Sequence, residues 1–155
     1  MKILIDTNVI MDSLVGIEPF FDDSDKILKL CSEHKIEGYV AGHTITNLFY
    51  LLRKHYSNND SRNILLNLIE FLKVENIDID KIKLALKNVD FKDFEDCLQV
   101  ECGYSIQADF ILLKEKSFTN NSVIIINSSA PVTTEIAPQW FRFSNASIFI
   151  SINIF

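Results

Sequence analysis

Apolar and polar positions along this chain change period repeatedly, and each change marks an element. Ile3, Leu4 and Ile5 form a short apolar run ending at Asp6. β-Branched isoleucines at both ends of it predict a buried strand. Thr7 or Asn8 is expected to cap a helix carrying Val9, Ile10 and Leu14. After Pro19, the cluster Asp22, Asp23 and Ser24 predicts a second helix start, with Ile27, Leu28, Leu30 and Cys31 at helical spacing. Glu37 to Ala41 reads as a second strand. Thr44 is expected to cap a helix bearing Ile45, Leu48, Phe49, Leu51 and Leu52. Phe49 and Tyr50 there, and Phe71 later, are expected in the core rather than on a base-stacking surface. Asn58 to Ser61 reads as a turn and Arg62 to Leu72 as a helix. Val74 to Ile77 predicts a third strand, and Asp80 opens a helix through Ile82 and Leu86. Asp90 or Asp93 opens another, running to about Gly103, with Phe94 and Leu98 as its buried stripe. Ala108 to Leu113 and Val123 to Asn127 complete the strands.

Short strands alternating with helices predict an α/β fold: a mostly parallel central sheet of four to five strands with helices on both faces. Ligands in such sheets sit beyond the carboxyl ends of the strands, and Asp6 lies at such an end. The length, 155 residues, fits one domain. Composition shifts after Ser128: Pro131, Pro138, several Ser and Thr and the lone Trp140 precede an uncharged apolar stretch from Ser147 to Phe155. The division expected is a domain over 1–127 and a divergent tail over 128–155, packed on the same domain or serving as a sheet edge or oligomer contact.

The remaining bulk features narrow the class. Three cysteines, Cys31, Cys97 and Cys102, occur without a CxxC pair, so reduced thiols and a cytoplasmic location are expected. Cys97 and Cys102 read as small apolar residues on a helix. No run is long and apolar enough for a membrane span. A net charge of −6 argues against a nonspecific nucleic-acid binder but suits clustered carboxylates around a cation. Arg53, Lys54, His55 and Arg62 form a local basic stretch suited to phosphate.

Two acidic sites stand out. Asp6, directly after a buried strand and before a helix, is placed either to hold a cation or simply to cap that helix. The run Asp90-Phe91-Lys92-Asp93-Phe94-Glu95-Asp96 puts Asp93 and Asp96 at i,i+3 on one helical face. Acids at a helix start also complement its dipole, which explains Asp90 and Asp93 better than Asp96. Packed like charges cost free energy unless neutralised, and Mg²⁺ is commonly held by one or two carboxylates with retained waters. His34, His43 and His55 share no ligand spacing. Dinucleotide, P-loop and nucleophile-elbow motifs do not occur.

Three segments, in this order and spacing, carry a resemblance: ILIDTNVIMD, HTITNLFYLLRK, and DFEDCLQVEC followed by ADFIL. Together they resemble the PIN-domain ribonuclease family, in a bacterial VapC-like toxin group or a related subgroup, over Met1 to about Asn127. The resemblance implies a PIN-like three-layer sandwich and a metal-dependent endoribonuclease using Mg²⁺ or Mn²⁺ on RNA. It implies Asp6 and Asp96 as metal-binding acids, with Asp93 beside them and Asn47 where many members carry an acid. Asn8, Arg53 and Lys54 are the expected substrate contacts. The implied partners are RNA, an antitoxin protein and a second copy of the chain in a homodimer. Departures follow the fourth strand: Ser117 stands where the subgroup has an acid, with Glu115 as a nearby substitute. A catalytically impaired PIN-like binding or assembly module is therefore the alternative. A phosphatase or phosphotransferase with an aspartyl nucleophile is a third reading, disfavoured because position 8 is Asn rather than Asp.

Overall fold

A computed structural model describes residues 1–89, 91 and 93–114 in full and the backbone of 123–126. In chain order the elements are β1 (Lys2–Ile5), α1 (Thr7–Val15), α2 (Phe21–Ser32), β2 (Glu37–Ala41), α3 (Gly42–Leu52), α4 (Asn58–Ile69), β3 (Leu72–Glu75), α5 (Ile79–Lys87), α6 (Phe94–Ser105), β4 (Phe110–Lys114) and β5 (Val123–Ile126). The sheet order is β3-β2-β1-β4-β5. The first four strands are parallel, and β5 pairs antiparallel with β4. The expected α/β architecture, with helices on both faces of a mostly parallel sheet, is the one observed.

The two faces of β1 explain the layers. Successive strand side chains point to opposite sides. Ile3 and Ile5 enter a core with Val9 and Ile10 of α1, Leu28 of α2, Leu48 and Leu52 of α3 and Leu65 and Leu68 of α4. Leu4 enters the other core, with Val100 and Cys102 of α6 and Ile111 and Leu113 of β4. All three β1 side chains are buried, which is why the run is continuously apolar rather than alternating. By the same alternation Asp6 follows Leu4 and points to the α6 side.

Several boundaries differ from the sequence expectation, each for a local reason. Asp6, not Thr7 or Asn8, is the N-cap of α1. Phe20 precedes α2 without a side-chain cap, and Asp22 and Asp23 lie in its first turn. Thr44 lies inside α3, which starts at Gly42 after an uncapped Ala41. Asn58 to Ser61 is the first turn of α4, because the Ser57 hydroxyl accepts from the Asp60 amide and starts the helix. β3 begins two residues before the predicted Val74, where Leu72 pairs with Gly38. Asp78 rather than Asp80 caps α5. Asp93 caps α6. Phe94 is exposed and only Leu98 of the expected pair is buried; position 94 is the first residue of the helix, outside the packed turn. Tyr50 is likewise exposed, whereas Phe49 and Phe71 pack against the core as expected. Cys97 and Cys102 are buried free thiols. Asp90, Glu115, Ser117 and the tail 128–155 lie outside the described residues.

Gly103 sets how closely α6 approaches the sheet. A Cβ there would stand 2.6 Å from Cγ1 and 2.3 Å from Cδ1 of Ile111, itself fully buried. Gly103→Ala is expected to destabilise the fold. Overpacking costs roughly 1–3 kcal/mol, against up to about 1 kcal/mol gained through helix propensity. A lower urea midpoint at unchanged slope checks this; an unchanged or higher midpoint contradicts it.

Candidate active site

The helices α1, α3 and α6 all begin at the carboxyl edge of the sheet, where β1 and β2 end, so their N-termini converge there. Asp6 keeps extended backbone geometry, and its amide continues the ladder to the Leu112 carbonyl at 3.0 Å. Its side chain is thereby aimed at the helix starts. Oδ2 accepts from the Asn8 amide at 3.2 Å and from Asn8 Nδ2 at 3.0 Å. Oδ1 accepts from Gln99 Nε2 at 3.2 Å, across 93 residues of sequence. Gln99 Nε2 also lies 3.3 Å from Thr44 Oγ1. One amide thus ties together α6, the start of α3 and the end of β1.

Asp6 is 4% exposed, and Gln99 and Thr44 are fully buried. Burial is the largest influence on Asp6 and raises its pKa; the hydrogen bonds from Asn8 and the backbone, and the nearby His43, act in the opposite sense. No lysine or arginine pairs with it among the described residues. Around the site, the buried side-chain polar atoms without hydrogen-bond partners among the described residues are Thr7 Oγ1, Gln99 Oε1 and both ring nitrogens of His43; Ser61 Oγ of α4 is the other such atom. At the outer rim Glu95 Oε1 accepts from Asn47 Nδ2 at 2.7 Å. His43 Nε2 lies 3.7 Å from the same oxygen, beyond hydrogen-bond range. Burial outweighs Glu95 and Asp6 and holds the His43 pKa below its ordinary value. At neutral pH the ring therefore presents a lone pair rather than a charge.

The structure distributes the sequence-predicted residues unevenly. Asp6, Asn47 and the acidic start of α6 share one end of the sheet. Asp96 is half-buried on α6, one turn before Gln99. Asp93 is exposed, and its Oδ1 accepts from the amides of Glu95 and Asp96. Asn8 has its side-chain amide on Asp6, so it orients the carboxylate. Arg53 and Lys54 are exposed beyond the end of α3. Among the described residues no three His, Cys, Asp or Glu side chains form a ready metal cage. Sequence reasoning missed Gln99 and Thr44 and undervalued His43 and Glu95. For Gln99 the signal was a long amide inside the run Cys97-Leu98-Gln99-Val100, because buried polar groups need partners.

Sequence reasoning also missed an ion pair beneath the site. Lys114, the last residue of β4, donates to both carboxylate oxygens of Asp12 in α1, each at 2.8 Å. Its ammonium lies 4.1 Å from the Phe20 ring centroid. Asp12 is 1% exposed, and its pKa is raised by burial, against the lowering influence of Lys114 and with a further raise from Asp6.

Two outcomes follow from this electrostatics. Lys114→Met is expected to cost about 3 kcal/mol by stranding a buried charge, and adding Asp12→Asn should restore most of the loss. Equal melting temperatures for the single and double variants would contradict the pairing. Asp6→Asn is expected to raise the melting temperature at neutral pH. The amide keeps the cap, a flip of Gln99 brings its unpartnered Oε1 to the new donor, and a buried charge is removed. Because the folded-state pKa of Asp6 is raised, its ionisation opposes folding. The variant's advantage is therefore full above that raised pKa and disappears as the pH falls through it toward the ordinary carboxylate value. Thermal melts across that range check the sign.

Comparison with known proteins places the fold that carries this arrangement. The family model for the PIN domain matches residues 2–116. The chain is 24% identical over 142 residues to ribonuclease VapC1 of Aquifex aeolicus, covering 90% of this chain and 95% of that one. The fold resembles VapC20 of Mycobacterium tuberculosis, a sarcin-ricin loop cleaving toxin, with a TM-score of 0.58 at 11% identity over 76% of this chain and 92% of that one. It also resembles VapBC2 of Rickettsia felis, solved with a DNA fragment from its promoter, with a TM-score of 0.54 at 10% identity over 76% of this chain and 90% of that one. A toxin–antitoxin complex from Klebsiella pneumoniae aligns with a TM-score of 0.55 at 13% identity over 74% of this chain and 87% of that one. Since the family match runs from β1 through β4 and takes in every element that frames Asp6, the chain belongs to the PIN domain family.

Proposed function

We propose that this protein is a metal-dependent endoribonuclease and the toxin of a toxin–antitoxin pair, with Mg²⁺ or Mn²⁺ at Asp6. The observation that carries the reading is a buried carboxylate at the end of the central strand, facing unpartnered polar atoms and no cationic side chain among the described residues. Family membership supports ribonuclease chemistry, and the toxin and antitoxin roles rest on the relatives named above. No described helix is long and apolar enough to cross a membrane.

The donor set fits a hydrated hard cation. It offers oxygen atoms from few carboxylates, the pattern Mg²⁺ accepts with retained waters. Asp6 and Asp96 would hold the ion, with Asp93 and Glu95 as outer groups. When bound, the ion polarises a phosphoryl oxygen and lowers the pKa of a water. The chain's own residues set the geometry. Gln99 and Asn8 fix the direction of the Asp6 carboxylate from opposite sides. Asn47, held on Glu95, orients a water or a phosphate oxygen at the rim. His43, neutral and with both ring nitrogens unpartnered, stands beside Glu95 at the same rim. Asn47 in place of an acid lowers the negative charge of the pocket, which favours weaker metal binding than a third carboxylate would give.

Purified protein is expected to cleave single-stranded RNA internally with added Mn²⁺ or Mg²⁺ and to stop on chelation. Asp6→Asn should remove both cleavage and Mn²⁺ binding, read independently by the electron paramagnetic resonance signal of free Mn²⁺, while remaining folded. RNA binding without cleavage and without Mn²⁺ uptake by the unaltered protein would favour the impaired binding module instead.

A further inference from the structure

The active-site rim continues as a stripe along α3. His43, Asn47 and Tyr50 stand at i, i+4 and i+7, within about 60° of one another around the helix, and Lys54 follows just beyond its end. Tyr50 is 65% exposed, although its place in an apolar helix predicts burial. Lys54 Nζ lies 5.1 Å from the centroid of the Tyr50 ring, which orients the ring through a cation–π contact. Beside this stripe Arg53 and Arg62 both lie over Phe49, at 5.8 and 5.4 Å. Among the described residues none of these three cations is paired with a carboxylate. In a chain of net charge −6, such a cluster is a local exception beside an acidic pocket.

We propose that Tyr50 and Lys54 form a nucleotide subsite for single-stranded RNA. The Tyr50 ring stacks on a base and the Lys54 ammonium meets an adjoining phosphate. The inference rests on the ribonuclease reading and deepens it. Tyr50 lies roughly 4.5 Å of helix rise beyond Asn47, so a base stacked there belongs to a nucleotide close to the phosphodiester presented at Asp6. Stacking is indifferent to base identity but needs an exposed base face, which a duplex does not offer. The subsite therefore selects unpaired RNA. Arg53 and Arg62 extend the positive track along the strand.

The test compares the unaltered protein with Tyr50→Ala, Tyr50→Phe and Lys54→Ala. Fluorescence anisotropy reads binding of a short labelled RNA of mixed sequence, single-stranded or in duplex form, and steady-state cleavage of the single strand is followed in parallel. Tyr50→Ala is expected to weaken single-strand binding roughly 5- to 100-fold and to raise KM with kcat nearly unchanged, and Tyr50→Phe to restore both. Lys54→Ala should reduce the slope of log affinity against log salt by about 0.7. The single strand should bind more tightly than the duplex. Equal affinity of Tyr50→Ala and the unaltered protein, with cleavage observed, overturns the subsite and leaves the nuclease intact. Tight duplex binding overturns it too, as does loss of a protein partner by Tyr50→Ala without loss of RNA affinity. If the unaltered protein neither binds nor cuts RNA, the ribonuclease reading falls and the subsite with it.

Discussion

A carboxylate held out of water without a countercharge is costly, and the whole sheet edge is arranged around one. Asp6 ends the central strand, where its neighbours on both sides are strands and its far faces are helices. At 4% exposure, little solvent reaches it to stabilise its charge. What compensates is a small set of directed dipoles: the Asn8 amides on one oxygen and the Gln99 amide on the other. These bonds offset part of the desolvation and leave the acid with a raised pKa. Asp6 opposes folding at neutral pH yet stands directly after a buried strand, a placement the proposed metal site would explain. The divalent cation proposed for this site would reverse that balance, because it would turn an electrostatic penalty into an attraction.

The same constraint explains why distant elements must be held with little play. Gly103, one turn beyond Gln99 along α6, lets that helix press onto Ile111, the approach that brings Gln99 to Asp6. The Gln99 amide contacts Thr44 as well, so a shift of α6 is felt by α3 and by Asn47 at the rim. Below them the Asp12–Lys114 pair joins α1 to the end of β4. Lys114 keeps a second buried acid from adding an unbalanced charge near Asp6. On the proposed reading, stability and function pull in opposite directions at Asp6 and in the same direction at the supports around it.

Away from the buried acid the character of the surface changes sign. α3 begins in the acidic pocket and ends among cations, so one helix spans the ground between the proposed metal site and the proposed phosphate track. An exposed tyrosine midway has no part in the core. The proposed nucleotide subsite would account for that exposure.

Much of this was legible in the residues. The apolar run ending at Asp6, the strand Glu37–Ala41 and the acidic start of α6 were all visible from periodicity and composition, because backbone preference and burial act locally. The sequence alone also singled out Asp6 and Asp96 by type and spacing, and Asn47 through the family resemblance. It did not decide helix starts such as Ser57 and Ala41, where one side-chain bond or one strand end sets the boundary. Nor could it decide which amide would meet Asp6, since Gln99 is 93 residues away. Strand alternation sends Asp6 to the α6 face, and only packing chooses which α6 residue waits there. The partnership of Asp12 with Lys114, the rim of Glu95, Asn47 and His43, and the exposure of Tyr50 are likewise tertiary outcomes. Each depends on the angle and depth at which two helices settle on the sheet, quantities to which residue periodicity is blind.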